Sequence, residues 1–119
     1  GNLAYNTAKA AVKHYTEGLQ HELRNTEGCQ VTAHLLVPGW TTTQGRAHQA
    51  GAWLPERVVD YMLAALDRGD FYIICPDDDV TPEMDRKRIL WGAGDITENR
   101  APLSRWHSDY AEAFEKFEA

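Results

Sequence analysis

The sequence predicts an α/β fold with a parallel sheet, and the order of three patterns carries that prediction. An amphipathic helical pattern at residues 4–25 precedes an apolar segment at 30–37 that has the length of one strand. A second helical pattern at 55–68 leads to another short apolar segment at 71–75. Strands joined through a helix in this way are expected to be parallel, with a right-handed crossover. At 119 residues, the chain is one domain or part of one.

The first helix is predicted over residues 4–25, with Gly28 as a stop after it. Its apolar residues recur at intervals of three and four: Val12, Tyr15, Leu19 and Leu23. Near its start, Tyr5 and Lys9 are four residues apart, which rotates them by only about 40° from each other on a helix. A nearby ammonium group favours the ionised form of a phenol. The pair is therefore a candidate general acid/base, or alternatively two side chains of a surface helix.

The strand predicted at 30–37 ends abruptly at Pro38-Gly39. Its near-continuous apolar end indicates a strand buried on both faces, as in a parallel sheet. Ligands bind outside the carboxyl ends of the strands in open α/β sheets. The segment Pro38–Thr43 is therefore a candidate ligand loop, in which three consecutive threonines offer hydroxyl and N–H groups. The alternative interpretation is a polar turn or the cap of a short helix.

The rest of the chain alternates between further helices and loops. Residues 44–54 have the mixed composition of a flap, and Pro55 begins the helix at 55–68. Further helices are predicted at 82–91 and 105–117. The last of these carries an aromatic stripe that is expected to dock within the chain or across a subunit contact: Trp106, Tyr110, Phe114 and Phe117. The acidic run Asp77–Asp79 fails the pattern of a calcium loop and is interpreted as a solvated turn.

Composition excludes several classes of function. The net charge of −6 and the isoelectric point of about 5.2 argue against nucleic acid and anionic membranes as main partners. No apolar run approaches the roughly 20 residues of a membrane helix. Cys29 and Cys75 form no CxxC motif, and they indicate reduced thiols in a cytoplasmic protein. No metal site is predicted.

The order of motifs resembles the C-terminal half of a short-chain dehydrogenase/reductase. The resemblance covers residues 1–76 and is strongest in YNTAKAAV, which begins at Tyr5, and VPGWTTT, which begins at Val37. It implies the C-terminal half of a doubly wound Rossmann-type parallel sheet, as a single partial domain over 1–119. Within that domain, 44–54 is the substrate-loop segment and 77–119 a C-terminal extension.

The resemblance also implies roles for individual residues. Tyr5 is expected to be the catalytic acid/base, and Lys9 to assist it and to hydrogen-bond the nicotinamide ribose. Four residues after the strand are expected to contact the cofactor, NAD or NADP: Pro38, Gly39, Thr41 and Thr43. Weak candidates for substrate contact are Trp40, His48 and Trp53. The usual residue at the position of Thr41 is aliphatic, but a backbone contact would survive that change.

The implied function is oxidation of an alcohol or reduction of a carbonyl by hydride transfer, with Tyr5 moving the proton. The sequence has no glycine-rich G-x-x-x-G-x-G loop, and the family's serine would fall before Gly1. The chain is therefore expected to be a fragment that is inactive alone, from a parent enzyme that is a homo-oligomer. The alternative is a non-enzymatic, truncated remnant that acts through subunit contacts. An epimerase-like relative with the same Tyr/Lys pair is a third interpretation, which Pro38-Gly39 and the nearby threonine disfavour.

Overall fold

The structure is a computed structural model, and it describes residues 2–119. Helices account for 55% of the chain. The elements in chain order are α1 (Leu3–Asn25), β1 (Leu35–Val37), α2 (Pro55–Arg68), β2 (Tyr72–Ile74), α3 (Pro82–Thr97), two single-turn 3-10 helices (Ser104–Trp106 and Ser108–Tyr110) and α4 (Ala111–Lys116).

The prediction of a doubly wound Rossmann-type sheet is wrong. The sheet of residues 2–119 has two strands, β1 and β2, which run parallel with Leu35 opposite Tyr72 and Val37 opposite Ile74. A doubly wound sheet needs several more parallel strands. Residues 2–119 provide only two strand-forming segments, and the larger sheet was implied by the resemblance alone. The fold is mostly helical, with one parallel strand pair.

Both strands are shorter than predicted, at three residues each instead of 30–37 and 71–75. Residues 30–34 extend past the start of β2, so they have no strand to pair with. Hydrogen bonds with side chains hold part of the segment 30–34 instead. The Ala33 N–H donates to Gln20 Oε1 over 2.7 Å, and His34 Nδ1 donates to the carbonyl of Asp70 over 2.7 Å.

The helices differ most from prediction near the C-terminus. The third helix continues to Thr97 rather than ending at residue 91, because its buried Trp91 and the hydrogen-bonded Asp95 hold its last turns. The helix predicted at 105–117 is replaced by the two 3-10 turns and the six-residue α4. The backbone of His107 is extended between those turns, which prevents a continuous helix.

The main core lies between α2 and the sheet. It is built from five buried residues: Trp53, Val58, Ala65, Ile73 and Cys75. The helix α1, by contrast, has no buried residue. A second apolar cluster joins α3 to α4, where the ring of Trp91 lies 5.4 Å from the rings of both Phe114 and Phe117. Part of the predicted aromatic stripe thus docks within the chain, while Trp106 is 75% exposed.

Polar side chains hold α1 against the sheet. The hydroxyl of Tyr72 donates to Glu17 Oε1 over 2.6 Å, and Lys13 Nζ donates to the same oxygen over 2.6 Å. These bonds and the contact of Gln20 with Ala33 connect the helix that carries Tyr5 to the strand pair.

Candidate functional site

Tyr5 and Lys9 lie side by side on the exposed surface of α1. The helix begins at Leu3, so Tyr5 is in its first turn, and its side chain is 62% exposed. Lys9 Nζ lies 5.4 Å from the centroid of the Tyr5 ring, within the range of a cation–π contact. The spacing of four residues thus brings a phenol and an ammonium group together where a ligand can reach them.

Pro38 and Gly39 follow β1 directly and pass close to the end of β2. A Cβ atom on Gly39 would lie only 3.0 Å from the carbonyl oxygen of Cys75 and 3.0 Å from Asp77 Oδ2. A larger residue would require the Cys75 backbone or the Asp77 side chain to shift by a few tenths of an ångström, which favours glycine. Packing within the protein is therefore sufficient reason for a glycine at this turn.

Asp77 organises the two strand ends, and the sequence analysis missed this role. Its carboxylate accepts hydrogen bonds from the N–H groups of Trp40 (2.9 Å), Asp79 (2.9 Å) and Val80 (2.7 Å). Partial burial alone would raise the pKa of Asp77, but these three donors outweigh it, and the pKa lies below its usual value. An aspartate that directly follows a strand and its proline is a signal for such a turn.

The strand ends border a cavity of about 750 Å³. The two strands form its floor, Lys13 of α1 lies on one side, and α3 lies on the other. Most of its wall is apolar, and the residues that contribute are Lys13, Leu35, Val37, Pro38, Gly39, Tyr72, Ile74, Cys75, Asp77, Val80, Asp85, Arg88 and Ile89. Pro38 and Gly39, predicted to contact a cofactor, therefore border a space large enough for a small molecule.

The threonine loop is tied to the segment before α2. Thr41 forms an isolated parallel bridge with Trp53, through bonds of 2.9 Å from Trp53 N–H to the Trp40 carbonyl and from Thr42 N–H to the Trp53 carbonyl. The hydroxyl of Thr41 donates to the carbonyl of Gly39 over 3.0 Å. Thr43 lies beyond the bridge with its side chain exposed.

The three weak substrate candidates differ in accessibility. Trp40 is 46% exposed, and His48 is exposed with Nδ1 2.9 Å from the hydroxyl of Thr42. Trp53 is only 6% exposed, and its Nε1–H donates to Asp78 Oδ1 over 3.0 Å. The guanidinium of Arg57 lies 4.0 Å from its ring centroid. Protein groups thus occupy most of the surface of Trp53.

The predicted site residues form two groups rather than one. Within residues 2–119, no hydrogen bond or ion pair joins Tyr5 or Lys9 to the segment 38–43. The helix α1 approaches the strand ends through Lys13, which is one turn beyond Lys9 and lines the same cavity as Pro38 and Gly39. The helix therefore connects the two groups.

A comparison with protein-family models, with curated proteins and with solved structures gave no match. In the part of the chain that the structure describes, no helix is both long and apolar enough to cross a membrane. Residues 2–119 likewise contain no group of three or more His, Cys, Asp or Glu side chains arranged to hold a metal ion.

Proposed function

We propose that this chain carries the tyrosine–lysine part of an NAD(P)-dependent oxidoreductase site that interconverts an alcohol and a carbonyl. The observation that supports this most is the accessible pair on α1, with Lys9 Nζ 5.4 Å from the ring of Tyr5. The second support is the parallel strand that follows, whose Pro38-Gly39 turn borders a cavity of about 750 Å³.

In this proposal, Tyr5 exchanges a proton with the substrate oxygen. Lys9 contributes a positive charge 5.4 Å from the centroid of the Tyr5 ring and is proposed to hydrogen-bond the nicotinamide ribose. The nicotinamide group, when bound, supplies or accepts the hydride. The exposure of Tyr5 leaves its hydroxyl free to meet a substrate, and the wall of the cavity beside Pro38 and Gly39 is mostly apolar.

In this proposal, the chain would contact one end of such a cofactor. Pro38, Gly39, Thr41 and Thr43 would hold the nicotinamide end, and Lys9 the ribose. The sequence contains no G-x-x-x-G-x-G motif to cradle the diphosphate. We therefore expect the 119 residues alone to bind NAD(H) and NADP(H) weakly and to give no turnover. Fluorescence titration with NADH and NADPH measures this, and tight binding by the isolated chain would contradict it.

Replacing Tyr5 with phenylalanine tests the acid/base role in an active protein that contains this chain. Loss of the phenolic hydroxyl should lower kcat by about hundredfold or more, because a positioned acid/base contributes that much. The dissociation constant for NAD(P)H should stay within about twofold, since a ring of the same shape remains.

Tyr15→Phe is the matched control for that variant. Tyr15 lies on the same helix, is 73% exposed and donates no hydrogen bond to another described residue. Its replacement should leave both kcat and cofactor binding unchanged. Full activity of the Tyr5→Phe protein would refute the catalytic role of Tyr5.

A non-enzymatic role through subunit contacts is the second candidate function, and the surface of α1 favours it. The helix has no buried residue, and its apolar side chains Val12 (52% exposed) and Tyr15 (73% exposed) lie about 60° apart on one side of it. The same surface supports a homo-oligomer under either function. Sedimentation of the chain as a monomer at micromolar concentration would count against an oligomer. If the chain forms oligomers and NAD(P)H has no effect on them, the non-enzymatic role is favoured.

A further inference from the structure

A second, smaller cavity lies within the loop that joins β1 to α2. Its volume is about 210 Å³, room for several water-sized groups at roughly 30 Å³ each. Every residue that lines it belongs to this one loop: Trp40, Thr41, Thr42, Thr43, Arg46, Ala47, Gln49 and Ala52. Unlike the larger cavity, it combines hydroxyl, amide and guanidinium groups.

Backbone hydrogen bonds within the loop shape this cavity. Two backbone bonds of 2.9 Å tie residues 40–42 to Trp53, and the Ala52 N–H donates to the Gln49 carbonyl over 3.2 Å. Ala52 and Trp53 are 4% and 6% exposed, so the base of the loop is fixed in the core. At Gly45 the backbone has φ of 80°, which a turn of this kind requires. That turn brings the Arg46 N–H within 3.1 Å of the Thr43 carbonyl.

The charge of the cavity differs from that of the chain. Arg46 is the one charged residue among residues 40–54, in a chain whose net charge is −6. No acidic side chain of residues 2–119 lies within ion-pair distance of its guanidinium. The hydroxyl of Thr43 likewise has no hydrogen-bond partner in the described part of the chain. The cavity thus offers unpaired donors of positive or neutral charge and no carboxylate.

We propose that this cavity binds the oxyanion group, a carboxylate or a phosphate, of a small ligand. Arg46 provides a planar pair of N–H donors that matches two oxygens of such a group, and the Thr43 hydroxyl provides a further donor. The proposal goes beyond the oxidoreductase function, because it adds an anion held by Arg46, although it shares Thr43 with the proposed cofactor contact.

Nuclear magnetic resonance of the ¹⁵N-labelled chain tests the proposal. Inorganic phosphate and acetate are titrated separately into the protein in Tris buffer, with chloride holding the ionic strength constant. At least one anion should produce saturable shifts in the amide signals of Thr41–Thr43 and Arg46. Saturation by phosphate alone would assign a phosphate site, and saturation by acetate alone a carboxylate site.

Two variants and one control locate the binding. Arg46→Gln should weaken binding by about tenfold, because it removes the charged donors. Thr43→Val should weaken it by about threefold, because it removes one neutral donor. Arg86→Gln removes an equally exposed charge on α3, away from the cavity, and should change the affinity by less than about twofold.

Shifts that rise linearly with both anions, without saturation, would overturn the proposal. So would equal losses of affinity in the Arg46→Gln and Arg86→Gln proteins, since a general effect of surface charge would then explain the binding. If the spectrum of the Arg46→Gln protein differs throughout, Thr43→Val decides: unchanged affinity in that variant overturns the proposal.

Discussion

The carboxylate of Asp77 joins two separate parts of the backbone. It accepts N–H donors from Trp40 after β1, and from Asp79 and Val80 after β2. Because Trp40 begins the loop that holds both Thr41 and Thr43, this carboxylate helps to fix the positions of the candidate cofactor residues. Hydrogen bonds to an ionised acceptor are stronger than hydrogen bonds to a neutral one.

Replacing Asp77 with alanine should lower the free energy of unfolding by about 1–3 kcal/mol, because the donors lose their acceptor in a partly buried turn. Urea unfolding followed by circular dichroism measures the change. Asp79→Ala is the matched control: it removes the same charge, and the Asp79 carboxylate accepts no hydrogen bond from the described residues. Equal destabilisation by both variants would show that the hydrogen bonds of Asp77 contribute little.

The lowered pKa of Asp77 predicts that acid reduces the stability of the folded chain. Since the pKa of Asp77 is lowered in the folded chain, its contribution is complete above the unfolded value, about 4, and is lost as pH falls through the lowered value. Asp77→Ala should therefore destabilise the protein strongly at pH 7 and less near pH 2. A difference between wild type and variant that stays constant with pH would contradict this.

Local sequence patterns indicate a turn at Asp77 but not its hydrogen bond to Trp40. The acidic run fails the calcium-loop pattern, which leaves a solvated turn as the local interpretation. The donor Trp40 lies 37 residues earlier, so only the pairing of β1 with β2 brings the two together. Tyr5 and Lys9 are different, because their proximity depends only on the spacing of one helix turn.

At the scale of the elements, the C-terminal helices depend on a buried polar network. Ser104 is fully buried; its hydroxyl accepts from Trp91 Nε1–H over 2.7 Å and donates to Asp95 Oδ1 over 2.5 Å. Arg100 Nε–H also donates to that carboxylate oxygen, over 3.0 Å. The network holds the two 3-10 turns against α3 and leaves Phe114 of α4 facing Trp91.

Ser104→Ala should lower the free energy of unfolding by about 1–3 kcal/mol, because the buried indole N–H of Trp91 would lose its acceptor. Tryptophan fluorescence during urea unfolding gives the change. Ser108→Ala, at an exposed serine in the next turn, should change stability by less than about 0.5 kcal/mol. A neutral Ser104→Ala result would mean that the network does not hold these elements together.

The sequence predicts the boundary of an element correctly where local signals determine it, but not where long-range contacts determine it. Proline at the start of α2 and glycine after it give the limits Pro55–Arg68 from sequence alone. The spacing of Trp106, Tyr110, Phe114 and Phe117 favours a continuous helix, but the buried Ser104 and the extended His107 impose two separate turns. The length of each strand depends on how far the other strand extends beside it, and no local pattern specifies that length.

At the scale of the whole molecule, the chain is more extended than a compact domain of its length. Its radius of gyration is 16.8 Å, whereas a compact domain of this size would have about 13.5 Å. The main core is small and lies on one side of the strand pair, between β2 and α2. The larger sheet implied by the resemblance is wrong for residues 2–119, because only two of their segments form strands.

Because the core is small, Ile73 should be critical for stability. It is 2% exposed at the centre of β2, and Ile73→Ala should lower the free energy of unfolding by about 2–5 kcal/mol through lost burial and the cavity left behind. Thermal unfolding followed by circular dichroism measures the loss. Ile89→Ala, at a residue 55% exposed, is the control and should cost well under half as much. Similar losses for both would place the stabilising core elsewhere.

Polar contacts attach α1 to the sheet, so a tilt of the helix about these contacts would displace Tyr5. Glu17, its contact with Tyr72, is twelve residues from Tyr5, or about 18 Å along the helix axis. A tilt of about 5° around Glu17 would move Tyr5 by about 1.6 Å, whereas catalytic groups need positioning within about 0.5 Å. No side chain of α1 is buried to resist such a tilt. Precise positioning of the Tyr5 hydroxyl therefore requires further contacts to this helix.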